Sequence, residues 1–120
     1  SLWSPSWAEG PGLYGQTAPS FDNPDFVEVV IHSYRHRFMY APGDPALEAI
    51  EQALARQPAI AVPSISLCGA DDGVGPPPEE DDDVGHFSAF YRRQVLPGVG
   101  HNIPQEAPQA TLAALFELLA

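Results

Sequence analysis

One aspartate and one histidine in the second half of the chain are the residues best suited to chemistry. Asp72 follows an apolar stretch that ends at Gly69, and His101 closes the loop sequence GVGH of residues 98–101. A carboxylate bound to one imidazole nitrogen fixes the tautomer and leaves the other nitrogen as a general base. The residue types alone leave a second interpretation open, in which the aspartate binds turn amides and the histidine is an ordinary loop residue.

Two predicted strands position these residues. The first runs over 60–68, with Pro63 confined to its start, and Ile65 and Leu67 alternate with small residues, so both faces could be buried. The second covers residues 91–96 and ends before Pro97. A helical crossover, with a short helix within 84–89, predicts a parallel, right-handed βαβ unit. The carboxyl ends of the two strands, and hence Asp72 and His101, should therefore meet at one edge.

Helices are predicted on both sides of this unit. Asn23 as cap and Pro24 as first residue start a helix that runs to about Phe38 and is expected to be buried on more than one side. Asp44 and Pro45 start a second helix that ends at Gln57. The last helix begins at Pro104, and its predicted apolar face against the sheet contains Ala107, Ala110, Ala114, Leu115, Leu118 and Leu119. Residues 1–24 are predicted to be irregular, with one short helix.

Composition narrows the range of functions. The net charge of −11, from 5 Lys and Arg against 16 Asp and Glu, disfavours binding to nucleic acid or to an anionic membrane. No apolar run is long enough to span a bilayer, and the start lacks the features of a signal peptide, so we expect a cytoplasmic protein. The acidic run 79–83 is interpreted as a solvated loop or helix start.

No metal site or cofactor is expected. His32 and His36 are spaced to share one helix face, but no carboxylate ligand is evident near them. The acidic run lacks the alternating ligands and central glycine of a calcium loop. The single cysteine, Cys68, cannot form an internal disulfide and is interpreted as a small strand residue.

The segment from Pro63 to Asp72, followed by residues 98–108, resembles the C-terminal third of an α/β-hydrolase. In that family the acid follows a strand-end glycine with two residues between, which selects Asp72 over Asp71, and the base follows a glycine after the last strand. The resemblance implies an α/β fold in which residues 1–45 end a helical cap domain and residues 46–120 form the C-terminal part of the core. It further implies that Asp72 and His101 are catalytic.

The cap resemblance points to epoxide hydrolases, dehalogenases and esterase-like members. Tyr34 and Arg35 match a Tyr-Arg pair on a cap helix of the epoxide-hydrolase-like members, which implies that the Tyr34 hydroxyl contacts substrate. Trp3 is a second candidate for substrate binding, as part of an apolar pocket wall. Core packing is the alternative interpretation for both aromatic residues.

The family pattern is incomplete in this sequence. A G-x-S-x-G elbow, or its Asp-bearing equivalent, is absent, and so are the strands that would precede it. We therefore expect a C-terminal fragment of a hydrolase for a small apolar ester, epoxide or carbon–halogen substrate, inactive on its own. A noncatalytic remnant or an acidic interaction module is the alternative. Because a two-stranded parallel sheet leaves strand edges open, we also expect self-association through such an edge.

Overall fold

The computed structural model describes residues 2–8 and 10–120, with Pro11 in its backbone only. The helices and strands follow one another in this order: α1 (Gly10–Thr17), a 3-10 helix (Ala18–Asp22), α2 (Phe26–Arg37), a 3-10 helix (Pro45–Leu47), α3 (Glu48–Ala55), β1 (Ser64–Gly69), a 3-10 helix (Asp82–His86), β2 (Tyr91–Leu96), α4 (Ile103–Glu106) and α5 (Pro108–Leu119).

The two strands pair in parallel, as the sequence predicts. Ser64 lies opposite Tyr91 at one end of the ladder, and Gly69 lies opposite Leu96 at the other. Strand β2 has its predicted bounds, whereas β1 begins four residues later than predicted, and Ile60 makes only an isolated bridge. The chain is thus an α/β structure in which both strands end at the same edge of the sheet.

The connection between the strands differs from the predicted helical crossover. Its described helical element is a 3-10 helix, Asp82–His86, preceded by a proline-rich stretch without helix or strand. The acidic run is not wholly solvated, because the Arg93 guanidinium on β2 donates to the carbonyl oxygens of residues 78, 79 and 80 at 3.0–3.2 Å. The Tyr91 hydroxyl also donates to Asp81, at 3.2 Å. These bonds hold the acidic run against β2.

Helix α5 packs on the sheet through a narrower face than the sequence predicts. Ala114 is buried, and Ala107, Ala110 and Leu118 are half-buried. Leu115 and Leu119, which were expected on the same face, are exposed. The reason is geometric: positions 110, 114 and 118 follow the helical repeat of 3.6 residues, and positions 115 and 119 fall beside it. Ala107 precedes the first residue of α5.

Helix α2 is exposed rather than buried on more than one side. Val27, Val29 and Tyr34 are all at least half exposed. Residues 12–58 form one compact unit whose described part contains no strand, so this unit offers no sheet to cover the helix. The start is also later than predicted, at Phe26, and Asn23 accepts a hydrogen bond from the Asp25 N–H at 2.9 Å in the preceding turn.

The second compact unit consists of residues 1–11 and 59–120 and contains both strands. This division differs from the sequence boundary at residue 45, and the assignment of 1–45 to a cap stays a prediction. Among the described residues, no helix has both the length and the apolar character needed to cross a membrane.

Candidate active site

The structure brings Asp72 and His101 into direct contact. The Oδ2 atom of Asp72 lies 2.8 Å from the Nδ1 atom of His101. An ionised carboxylate can only accept, so Nδ1 carries the proton of this hydrogen bond and Nε2 presents a lone pair. The Asp72 side chain is 13% exposed and that of His101 is 38% exposed. The pair is therefore partly shielded yet reachable by a small molecule, and the imidazole can accept a proton at Nε2.

The turn after β1 fixes the carboxylate of Asp72. Its Oδ1 atom accepts hydrogen bonds from the N–H groups of Val74, at 2.8 Å, and Gly75, at 3.1 Å. The Val74 hydrogen bond, followed by the one from His101, holds the pKa of Asp72 below its usual value. The carboxylate of Asp72 thus makes the contacts that each interpretation assigned to it, since one oxygen accepts from turn amides and the other binds the imidazole.

Asp71 has a different environment from its neighbour. Its side chain is exposed, and its backbone N–H donates to the carbonyl oxygen of Val99 at 2.9 Å. The side chain that faces His101 is that of Asp72, the acid selected from the sequence. The catalytic roles of Asp72 and His101 stay predictions.

The N-terminal segment bridges the two turns that carry the pair. The carbonyl oxygen of Trp3 accepts from the N–H of Gly73, at 3.1 Å, and from that of His101, at 3.2 Å. The Trp3 indole stands edge-on to the His101 imidazole, with ring centroids 5.0 Å apart and planes inclined by 77°. Trp3 is thus a half-exposed aromatic side chain beside His101, and its role in substrate binding stays a prediction.

Ser4 and Glu106 are parts of this site that sequence reasoning missed. Glu106 accepts from the N–H groups of Gly100, at 2.7 Å, and Asn102, at 2.9 Å, on either side of His101. Burial raises the pKa of Glu106, but hydrogen bonds from the Ser4 hydroxyl and these two N–H groups outweigh it and lower the pKa overall. A Glu five residues after the predicted base was the available signal. Ser4 had no comparable signal in the sequence, because it lies 97 residues before His101.

Tyr34 lies in the other compact unit, on α2. Its half-exposed ring stacks on Phe38, with centroids 6.4 Å apart. An open groove of about 500 Å³ adjoins the same helix and is lined by Val27, Ile31 and Arg35 among others, without Tyr34. Substrate binding by Tyr34 stays a prediction.

The two histidines of α2 lie near each other, with ring centroids 6.4 Å apart. In the part of the chain that the structure describes, no group of three His, Cys, Asp or Glu side chains is arranged to hold a metal ion.

One solved structure is similar to nearly the whole chain. It is the crystal structure of a protein from Klebsiella pneumoniae subsp. pneumoniae, described as a "putative epoxide hydrolase". The two sequences are 36% identical over 98% of this chain, and the TM-score is 0.90. The chain spans 39% of the length of the Klebsiella protein. No family model matches the chain, and a search of curated proteins finds no match either.

The similarity to the Klebsiella protein supports the α/β fold predicted from the sequence. A mixed structure of helices and two parallel strands aligns with part of the Klebsiella protein, in agreement with a partial α/β-hydrolase fold. At 36% sequence identity, the two proteins share many identical residues as well as their fold. Because the chain aligns with 39% of the Klebsiella protein, the activity of that whole protein cannot be assigned to this chain from the alignment.

Proposed function

We propose that this chain supplies the acid and the base of an α/β-fold hydrolase that acts on a small, mostly apolar substrate. The observation that carries the proposal is the 2.8 Å contact between Asp72 Oδ2 and His101 Nδ1, at the carboxyl ends of two parallel strands. This is the edge at which open α/β sheets bind ligands. The similarity to the Klebsiella protein supports an epoxide as the first substrate class to test, ahead of an ester or a carbon–halogen bond.

The proposed reaction needs the residues of this chain and also a nucleophile that this sequence does not contain. An Asp nucleophile would open the epoxide at carbon and form an ester, and the ring oxygen would take up a proton from solvent or from a phenol that solvent reprotonates. His101 Nε2 would then remove a proton from a water that attacks the ester carbonyl. The acyl C–O bond of the ester breaks, and the imidazolium returns its proton to the departing diol oxygen. The new carboxyl group of the nucleophile then loses a proton, which replaces the one used in the first step, and the carboxylate is regenerated. Asp72 would hold the imidazole in the correct tautomer and stabilise the imidazolium.

Two aromatic side chains receive supporting roles in this proposal. Tyr34 would donate its phenol proton in a hydrogen bond to the epoxide oxygen, since a neutral donor suits a developing alkoxide. Trp3 would line the apolar side of the substrate site, because its half-exposed ring already stands against the imidazole. The second role rests on a contact within one compact unit, whereas the first rests on the sequence resemblance.

Mass spectrometry of a His101→Ala variant tests this division of labour. The variant is made in the natural protein that contains this chain and is mixed with a small epoxide such as styrene oxide. If His101 serves only the second step, the intact mass of the variant rises by one substrate per chain, whereas the wild type turns over without accumulating the adduct. A serine nucleophile also needs the base for the first step, so that variant would be inactive and unmodified.

Two outcomes contradict the proposal. A His101→Ala protein that retains wild-type turnover of epoxides, esters and haloalkanes would show that the imidazole is not the base. A wild-type protein inactive on all three classes would instead favour a noncatalytic hydrolase-like module.

A further inference from the structure

Three consecutive backbone N–H groups around the base are all held by side chains from other parts of the chain. Glu106 Oε2 accepts from Gly100 at 2.7 Å, and Glu106 Oε1 accepts from Asn102 at 2.9 Å. The N–H of His101, between them, donates to Ser4 Oγ at 3.1 Å. The backbone on both sides of the imidazole is therefore fixed to one carboxylate and one hydroxyl.

The carboxylate and the hydroxyl are themselves connected. The Ser4 hydroxyl donates to Glu106, and Ser4 Oγ also accepts from Asn102 Nδ2 at 3.0 Å. Ser4 is 1% exposed, which makes it the most buried side chain of the described residues. Hydrogen bonds to an ionised, shielded carboxylate are shorter and stronger than neutral ones. The network thus surrounds Ser4, and few other side chains are buried among the residues that the structure describes.

We propose that Ser4 and Glu106 act as positioning residues that set where the His101 imidazole points. The inference rests on the proposed function, since it concerns the base of that reaction. Neither side chain takes part in the chemistry in this account. Glu106 is turned to the backbone of the loop, and the Asp72 contact alone fixes only the Nδ1 end of the ring. A catalytic group displaced by about 1 Å can lose on the order of 10²-fold in rate.

A purely structural role is the competing explanation. In that case loss of Glu106 would lower the free energy of unfolding, but the folded molecules would keep the geometry of the base. The two explanations predict different values of kcat for the fully folded variant. They also predict different geometry for the hydrogen bond between His101 and Asp72. The test therefore measures both quantities in the natural protein that contains this chain.

The test compares Glu106→Gln with Glu117→Gln. A glutamine has one oxygen and one NH₂ group, so at position 106 one of the two N–H groups faces a donor. Glu117 is an exposed carboxylate paired with Arg92 at 2.7 Å and provides the same substitution outside the site. We expect Glu106→Gln to lower kcat for the epoxide by about 10- to 100-fold with KM changed by less than about twofold. Glu117→Gln should match the wild type.

Proton NMR provides the readout that a structural role would not change. The His101 Nδ1 proton bound to Asp72 should give a downfield resonance in the wild type and in Glu117→Gln. It should shift or broaden in Glu106→Gln at a temperature where circular dichroism shows a folded protein. Ser4→Ala provides a second variant: His101 N–H keeps only the Trp3 carbonyl oxygen, and kcat should fall in the same direction.

The outcomes separate the two proposals. If His101→Ala and Asp72→Asn are inactive but Glu106→Gln and Ser4→Ala match Glu117→Gln in kcat and in the resonance, the positioning proposal is wrong and the proposed function stands. If His101→Ala is fully active, the proposed function itself fails. Should Glu106→Gln not fold, Ser4→Ala decides by the same two measurements.

Discussion

Gly69, the last residue of β1, lies directly against the carbonyl oxygen of Gly100 in the loop that carries His101. A Cβ atom at Gly69 would overlap the carbonyl oxygens of Val99 and Gly100. Past the strand end, the N–H of Ala70 still donates to Leu96 at 3.0 Å, and that of Asp71 donates to Val99 at 2.9 Å. The turn that contains Asp72 and the loop that contains His101 are therefore in backbone contact, and this contact brings Asp72 within reach of His101.

Gly69→Ala should separate the two turns. The added methyl group would overlap backbone atoms rather than a flexible side chain. The loop that contains His101 must therefore move. We expect the free energy of unfolding to fall by about 1–3 kcal/mol, measured by urea denaturation. Gly85→Ala is the matched control, because a Cβ atom there meets nothing within 4 Å. Equal stability of the two variants would contradict the close approach.

Glu106 should make stability depend on acid pH. Its pKa is lowered from 4.5 by the Ser4, Gly100 and Asn102 hydrogen bonds, despite the opposing effect of burial. A folded-state pKa below the unfolded value adds stability that is complete above about pH 4.5 and is lost as pH falls through the folded value. The difference in unfolding free energy between the wild type and Glu106→Gln should therefore shrink between about pH 6 and about pH 3. A constant difference would contradict this assignment.

Replacement of Met39 by glycine should stabilise the protein. It follows α2 with φ of 63°, in the left-handed region, where its N–H donates to His36 at 3.0 Å and the Tyr40 N–H donates to Arg35 at 2.7 Å. This is the helix ending that usually carries glycine. The Met39 side chain is 90% exposed, so Met39→Gly loses no packing and should raise the free energy of unfolding by about 0.5–1 kcal/mol. Met39→Ala, which keeps the Cβ atom, should give no such gain, and an equal gain from both would contradict the explanation.

The elements closest to the site could be predicted from the sequence because their signals are local. Strand β2 is bounded by Pro97, the turn that contains Asp72 follows Gly69, and His101 follows Gly100. A helical crossover with a short helix within 84–89 was predicted, and the parallel pairing of the strands was inferred from it. The chain instead places a proline-rich stretch and a 3-10 helix there, held by Arg93, whose three carbonyl partners have no sequence signature.

The rest of the site could not be predicted because it depends on contacts between distant residues. Ser4 and Trp3 precede His101 by nearly the whole chain, and nothing in their local sequence marks the bonds that they make. The burial of α2 was predicted from its apolar residues alone. Apolar residues favour burial only where another element covers them, and within residues 12–58 the described structure provides no sheet to do so.

The account depends most directly on the identity of the acid, and Asp72 and Asp71 provide neighbouring residues for one comparison. The measurement is kcat of Asp72→Asn and Asp71→Asn in the natural protein that contains this chain, with a small epoxide as substrate. Because Asp72 Oδ2 binds His101 Nδ1 at 2.8 Å and the Asp71 side chain is exposed, Asp72→Asn should lose on the order of 10³- to 10⁴-fold and Asp71→Asn less than about twofold. Near-normal turnover by Asp72→Asn, or a larger loss in Asp71→Asn, would contradict the account.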